Sequence, residues 1–358
     1  MEEKKKVLHI VEAFGGGVFS MLCDLLNGMS DNYDITVAYS KRNQTPENFQ
    51  EYFNKNIKFI EIKNFTRKIS FTKDIKALKE IKKVFKEVNP DIVHLHSSKA
   101  GILGRIGIRG NKIKMFYNPH GFSFLKKDDS KLKRMIYWLI EKMAAIVNKR
   151  CTIVGCSKGE YEEARKLNKN SICINNGISI EKIQEETKDL KEKKIDFDNL
   201  KVCTVGRISF QKNPKMFNEI AKSFPNLKFT WIGDGELKEE LTSPNITITG
   251  WKSREAVLQI LNNNDIFLLP SLWEGLPISL LEAMYLKKIC IVSDVIGNKD
   301  VIDNGKNGFI ENDLNGYKNA MDKIKSTEVY SIKNKAYEDL INMYSTQNMV
   351  QGYKKIYM

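Results

Sequence analysis

The segment Pro270-Ser271-Leu272-Trp273-Glu274-Gly275-Leu276-Pro277-Ile278-Ser279-Leu280-Leu281-Glu282-Ala283 follows directly on the apolar run 266–269. A short apolar run stopped by Pro-Ser reads as a buried strand, and the apolar spacing after Pro277 reads as a helix. Proline fits the first turn of a helix, where its missing N–H leaves nothing unpaired. Glu274 then sits in the loop ahead of the helix. Glu282 lies inside it with its side chain leaning back towards the helix start, so both carboxylates face the same end of the strand. A strand feeding a helix in this way is the unit of a parallel, doubly wound sheet, whose ligands collect at the carboxyl ends of the strands. A carboxylate placed there suits accepting hydrogen bonds from sugar hydroxyls, whereas a phosphate would be repelled and needs other partners.

Working outward, the same alternation of short β-branched runs and amphipathic stretches fills the chain. Strands are expected at 7–11, 35–39, 57–62, 92–96, 114–118, 152–156 and 172–175, then at 201–205, 228–232, 246–249, 266–269 and 289–293. Between the two sets, 176–200 is rich in Glu and Lys and has no strand pattern. The expected organisation is a first doubly wound domain over 1–178, a linker over 179–199 and a second doubly wound domain over 200–336, with a cleft between the domains. A C-terminal helix at about 337–358 is expected to return to the first domain.

The 358 residues suffice for two such domains. The net charge of +14 is unevenly spread: residues 1–180 hold 33 basic and 19 acidic side chains, while 181–358 balance at 25 each. The stretch 99–169 alone has 17 basic against 6 acidic residues, which points to an anionic partner for the first half. Six cysteines without CxxC spacing argue against zinc and redox motifs. The apolar run after Lys6 is too short for a signal peptide, and no segment has the length of a membrane span. A soluble, cytoplasmic protein is expected.

Strand ends in the second half supply the phosphate partners. In Val205-Gly206-Arg207-Ile208-Ser209-Phe210-Gln211-Lys212, a forked cation and a point cation follow one strand, a match for a diphosphate. Trp251, after Gly250, is a wall for a nucleobase or a core residue. In the first half, Gly15-Gly16-Gly17 after the first strand allows backbone N–H groups to approach a phosphate. It is not the GxGxxG fingerprint, and Tyr39-Ser40-Lys41 supplies no ribose acid, which disfavours a dehydrogenase. Of the four histidines, His9 and His94 alternate with apolar neighbours and read as core. His120, in Asn118-Pro119-His120-Gly121-Phe122, follows a strand and reads as functional. His96 and Lys99, in His96-Ser97-Ser98-Lys99, open the basic region and are candidates for contact with an anionic acceptor. Leu132, Met135, Ile136, Leu139, Met143 and Val147 recur at helical spacing and read as core, with Lys131, Lys133, Arg134, Tyr137 and Trp138 as a flank for a membrane surface. Asp196-Phe197-Asp198 spells DxD but sits in the charged linker, so metal binding is not expected there.

These motifs together resemble a family 4 retaining glycosyltransferase of the GT-B fold, two Rossmann-like α/β domains facing across a cleft. The resemblance runs from Gly15–Gly17 through His120, Val154–Ser157, Arg207 and Lys212 to Glu274 and Glu282, whose E-x7-E spacing marks the family. It implies that Arg207 and Lys212 bind the donor diphosphate, Glu282 the ribose hydroxyls and Glu274 the transferred sugar, assisted by backbone at Gly275 and Leu276. Gly16 and Gly17 would close over the diphosphate, and His120 would lie near the reacting carbon. No cofactor and no metal are implied; the nucleotide sugar, with UDP the family's usual nucleotide, is the co-substrate, and two cations stand in for a divalent ion. Retention would proceed by front-face attack, with His120 as hydrogen-bond donor rather than base.

His96-Ser97-Ser98-Lys99-Ala100-Gly101 and the His120 segment also resemble bacterial enzymes that extend polyprenyl-diphosphate-linked glycans for capsule, O-antigen or glycoprotein. A lipid-linked or soluble glycan acceptor is therefore expected, with peripheral contact to the anionic inner face of the plasma membrane. Two other readings remain: a nucleotide-sugar epimerase of the same fold, distinguished by product formed without acceptor, and a nucleic-acid-binding protein. The latter lacks aromatic platforms and a continuous basic track, so no nucleic-acid partner is expected.

Overall fold

The computed structural model describes residues 3–42, 44–66, 70–108, 113–324 and 328–358. They form two units, one of Met1–Leu125, Asp129–Asn176 and Thr346–Met358, the other of Lys126–Asp128 and Gly177–Ser345. In the first, the elements run β1 (Lys6–Phe14), α1 (Gly16–Met29), β2 (Asp34–Lys41), β3 (Lys58–Glu61), α2 (Phe71–Val88), β4 (Ile92–His96), α3 (Ser98–Gly107), β5 (Lys114–Asn118), α4 (Lys131–Val147), β6 (Thr152–Gly155), α5 (Lys158–Leu167) and β7 (Ser171–Cys173). All pairings are parallel, in the order β3-β2-β1-β4-β5-β6-β7.

The second unit follows with α6 (Ile180–Glu186), β8 (Lys201–Val205), α7 (Pro214–Ser223), β9 (Lys228–Ile232), β10 (Ile246–Ile248), α8 (Arg254–Asn262), β11 (Ile266–Leu269), α9 (Ile278–Tyr285), β12 (Ile289–Ser293), β13 (Phe309–Glu311), α10 (Leu314–Lys323) and α11 (Val329–Met343). Its strands order as β10-β9-β8-β11-β12-β13, again all parallel. The last helix, α12 (Thr346–Tyr357), belongs to the first unit. Both sheets thus reverse their order once, between β1 and β4 and between β8 and β11.

Period-two alternation assigns the cores. On one face of the first sheet Val7, Val11, Ile92, Phe116 and Val154 pack with Leu22, Leu25 and Met29 of α1 and with Met349, Val350, Tyr353 and Tyr357 of α12. On the other face Leu8, Ile10, Val93, Leu95, Tyr117 and Ile153 meet Ala77, Ile81 and Val84 of α2, Ala100 of α3 and Ala164 and Leu167 of α5. In the second unit Val202, Trp231, Ile266, Leu268, Ile289 and Ile291 pack on Phe217 and Ile220 of α7 and Tyr317 and Met321 of α10. Cys203 and Cys290 point the opposite way and are buried, and burial pushes both thiols up.

Four sequence expectations change. Strand β13 was not expected, since three residues give no periodicity to read. The stretch 179–199 contains α6 and docks on the second unit: Glu192 pairs with Lys287 and Lys333, and Asn262 donates to the Lys191 carbonyl. Only Thr346–Met358 of the C-terminal stretch joins the first unit, while α11 packs on α9.

The largest reversal is α4. Its stripe of Leu132, Met135, Ile136, Leu139, Met143 and Val147, read from sequence as core, is exposed, Leu132 by 63% and Met143 by 59%. Its inward face carries Glu141, Ala144 and Ala145, with Tyr137 and Trp138 partly buried. The reason is a buried ion pair: Arg105 of α3 bonds Glu141, donates through Nε to the Gly101 carbonyl at 2.8 Å and stacks 4.5 Å over the Tyr117 ring, whose hydroxyl donates to Glu141 at 2.8 Å. The charged residue turns inwards and carries the apolar stripe outwards. Removing one member leaves a buried unpaired charge, so Glu141→Ala is expected to cost about 3–5 kcal/mol. The check is the urea unfolding midpoint against wild type.

Candidate active site

In the second unit the sequence-picked residues gather at the carboxyl ends of β8 and β11, beside the strand-order reversal. Lys212 ends the short turn after β8, and its ammonium lies 2.7 Å from Oε1 of Glu274, both side chains largely buried. Gln211 donates through Nε2 to Glu274 Oε2 at 3.3 Å and to the Trp273 carbonyl at 3.0 Å, while the Leu272 N–H donates to the Gln211 carbonyl at 2.8 Å. The loop after β8 and the loop after β11 are therefore laced together. Asn213 starts α7, accepting from the Met216 N–H, and donates to the Pro270 carbonyl at 3.1 Å. Proline at the following position completes the helix start.

Glu282 is buried on α9, as the Pro277 reading requires, since α9 begins at Ile278 with Pro277 as its cap. Arg254 of α8 donates to Glu282 Oε1 at 2.7 Å and, through Nε, to Glu186 of α6 at 3.0 Å. Arg207 stands apart from this group, pairing at the surface with Glu236 at 2.8 Å. Gly275 is backed by Gly297 after β12, where φ is +86° and a Cβ would come within 2.2 Å of the Gly275 carbonyl oxygen, so only glycine fits. Leu276 is buried. Beneath the loop, Ser293 donates to the Ser271 carbonyl, and Asn298 donates to the Ser293 carbonyl and hydroxyl.

In the first unit the corresponding reversal carries the glycine loop and the histidines. Gly16 has φ +55°, a left-handed backbone that favours glycine, and opens α1 with Gly17 in its first turn. Arg42 pairs with Glu12, and Thr45 donates to the Phe14 carbonyl, tying the ends of β1 and β2. On the sheet face covered by α12, His9 Nδ1 lies 3.0 Å from His96 Nε2, and His96 Nδ1 lies 3.0 Å from His120 Nε2. His94 stacks on His96 with ring centroids 4.2 Å apart, and its two nitrogens meet the Tyr357 hydroxyl and Asn118 Oδ1. His9 and His94, read from sequence as core, are buried but bonded into this assembly rather than inert.

Ser97 and His120 both have positive φ, +73° and +53°, a backbone strain that the surrounding contacts must hold. The turn is held by Glu160 of α5, which accepts from the Gly121 and Cys156 N–H groups. Lys99 faces the first turn of α2, its ammonium 2.8 Å from Asp74 Oδ1 and 3.3 Å from Thr66. Asp196 of the DxD sequence accepts from the Asp198 N–H and from Asn199, a turn-capping role.

Gln211, Arg254, Glu160, Gly297 and Asn298 were not singled out from sequence. Gly297 alone carried a usable signal, lying four residues past a strand end. Gln211, Arg254 and Glu160 act through partners 28 to 68 residues away in the chain, which no local pattern records, and Asn298 acts through Ser293 at the end of the strand just before it.

Burial lowers His9 from 6.5 to about 3 and His120 to about 4. His94 and His96 are also held well below 6.5, chiefly by burial, then for His94 by His9 and His120 and for His96 by His94, His9 and His120. The folded protein keeps these rings neutral while the unfolded chain takes up protons below pH 6.5. Stability is therefore fully present above that pH and lost as pH falls towards 4. The melting temperature is expected to hold between pH 7 and 8 and to drop steadily from pH 6.5 to 4. His9→Asn should flatten that slope.

Comparison with known proteins gives the family. Residues 15–182 match the model for Glycosyltransferase Family 4 and residues 185–345 that for Glycosyl transferases group 1. Over 337 residues the chain is 32% identical to the UDP-Gal:alpha-D-GlcNAc-diphosphoundecaprenol alpha-1,3-galactosyltransferase of Escherichia coli, spanning 86% of this chain and 85% of that protein. It is 26% identical over 304 residues to the N,N'-diacetylbacillosaminyl-diphospho-undecaprenol alpha-1,3-N-acetylgalactosaminyltransferase of Campylobacter jejuni, spanning 77% and 78%. Among solved structures, Anabaena HepE in complex with UDP and glucose superposes with a TM-score of 0.76 at 15% identity, covering 98% of each chain, a likeness of fold. Two parallel-sheet units, the E-x7-E pair at a strand-order reversal and a relative of this closeness place the chain in the group 1, family 4 glycosyltransferases of the GT-B fold.

Proposed function

We propose that this glycosyltransferase moves a hexose or N-acetylhexosamine from a UDP-sugar to a hydroxyl of a polyprenyl-diphosphate-linked glycan, with retention and without a metal. The observation that carries the donor half is the Lys212–Glu274 pair, with Gln211 bridging the two loops. A cation for the diphosphate and a carboxylate for the sugar hydroxyls are held side by side, where the bond between sugar and phosphate would lie. Lys212, joined by Arg207, takes up the charge that develops on the departing diphosphate. Glu282, oriented by Arg254, accepts from ribose hydroxyls. His120 donates a hydrogen bond to a substrate oxygen, its burial keeping it neutral.

The lipid-linked acceptor is supported by the names of the two bacterial relatives, both of which act on undecaprenol-linked diphosphates. Among the described residues no helix is long and apolar enough to cross a membrane. The exposed stripe of α4, flanked by Lys131, Lys133 and Arg134, is amphipathic in the sense a leaflet surface requires: apolar area to bury and cations for anionic headgroups. We place this face on the inner leaflet, with the protein on the cytoplasmic side.

Calorimetric titration with a panel of UDP-sugars in the presence of EDTA tests the donor site. One UDP-sugar is expected to bind wild type, and Lys212→Ala or Glu282→Ala to weaken it roughly tenfold to a hundredfold, the loss of a charged hydrogen bond. Binding that requires a divalent ion would end the metal-independent reading. For the membrane face, co-sedimentation with phosphatidylglycerol-containing vesicles is expected for wild type and sharply reduced for the double variant Leu139→Glu, Met143→Glu. Neutral vesicles should bind less, and added salt should release the protein.

A further inference from the structure

His9, His96 and His120 form a head-to-tail chain of imidazoles, His9 Nδ1 to His96 Nε2 and His96 Nδ1 to His120 Nε2, each 3.0 Å. Each neutral ring has one N–H and one lone pair. Two hydrogen bonds through three rings then have only two consistent arrangements. Either every ring carries its proton on Nδ1 and the bonds run from His9 outwards, or every ring carries it on Nε2 and they run inwards from His120.

The inner end of the chain decides between them. His9 Nε2 is buried without a partner. In the inward arrangement that atom would be a buried, unpaired N–H donor; in the outward arrangement it is an unused lone pair. Orphaned buried donors are the rarer and costlier case. From this geometry we infer that His9 and His96 are positioning residues that fix His120 in the Nδ1–H form, so that its single donor is the nitrogen not spent on His96. His120 Nε2, already accepting from His96, has no lone pair left with which to deprotonate an acceptor. The chain thereby makes His120 a donor and denies it the role of general base.

The neighbours hold the chain in register. His94 stacks on His96 and carries its proton on Nε2 towards Asn118 Oδ1, accepting the Tyr357 hydroxyl at Nδ1. Glu160 pins the Gly121 N–H, and with it the left-handed turn at His120. β1, β4 and β5 are consecutive in the sheet, with His9 opposite His94 and His96 opposite Asn118. The spacing of the rings is therefore set by the strand ladder itself.

The inference rests on His120 acting as a donor to substrate, and two experiments separate the two claims. Long-range proton–nitrogen NMR of wild type labelled with ring-15N histidine at pH 7 reads the tautomers directly, since the chain has four histidines. Three Nδ1–H rings and one Nε2–H ring, the latter His94, are expected. An Nε2–H His120 would overturn the inference whatever the variants do. In kinetics, followed as UDP release from the UDP-sugar selected by titration, His9→Leu is expected to lower kcat about tenfold with little change in KM, the worth of one hydrogen bond. His9→Asn, which keeps a donor at the Nδ1 position, should recover most of it. A folded His9→Leu with wild-type kcat, beside an inactive His120→Ala, would overturn the positioning role and leave His120 in place. Wild-type turnover in His120→Ala would remove the underlying reading instead.

Discussion

A parallel strand can be followed by its neighbour only through a crossover that returns over the face of the sheet, and where the order of strands reverses, two successive crossovers leave on opposite sides. The gap they leave lies at the carboxyl ends of the central strands. Both units have this reversal, at β1 and β4 and at β8 and β11. Everything chemical in the molecule depends on it. Lys212 and Glu274 meet because the loops after β8 and β11 open side by side, and the three-imidazole chain exists because β1, β4 and β5 are consecutive.

The charged groups of the proposed donor site are balanced within the protein. Lys212 pairs with Glu274, Arg254 bridges Glu282 and Glu186, and Arg207 pairs with Glu236. Such pairing keeps buried charge tolerable in the absence of ligand. In the proposed function a diphosphate would exchange one anionic partner for another, so that selectivity would come from geometry rather than from raw attraction. Long-range attraction belongs to the first unit, where the basic excess of 99–169 lies and the balanced second half has none.

Much of this was legible in the sequence because strand ends are short-range features. An apolar run, a glycine or proline and a charged residue at fixed offset place Glu274, Glu282, Lys212 and His120 without any tertiary knowledge. The same logic fails for residues whose work is done across the fold. Arg254 reads as a solvated helix residue until Glu282 and Glu186 are seen on either side of it. Helix α4 shows the limit most plainly: periodicity reveals an apolar face but not which side packs, and the answer came from Glu141, whose partner Arg105 is 36 residues away. His9 and His94 were correctly placed in the core, yet burial alone said nothing of the hydrogen bonds that join them to His96, Asn118 and Tyr357.

The return of α12 bears on the order in which the chain is built. Tyr353 and Tyr357 fill the core of the first unit, and the Tyr357 hydroxyl bonds His94, whose ring stacks on the middle imidazole of the chain. On the ribosome the first sheet emerges early, but the part of its face that α12 covers beside α1 stays open until residue 357 has been made, whereas most of the second unit, Gly177–Ser345, emerges as one continuous stretch before then. The usual amino-to-carboxyl sequence of domain folding during synthesis is therefore reversed for completion, the later unit closing first. Until the last helix docks, the apolar area that Met349, Val350, Tyr353 and Tyr357 cover stays open beside α1, so the half translated first is the last to complete its core.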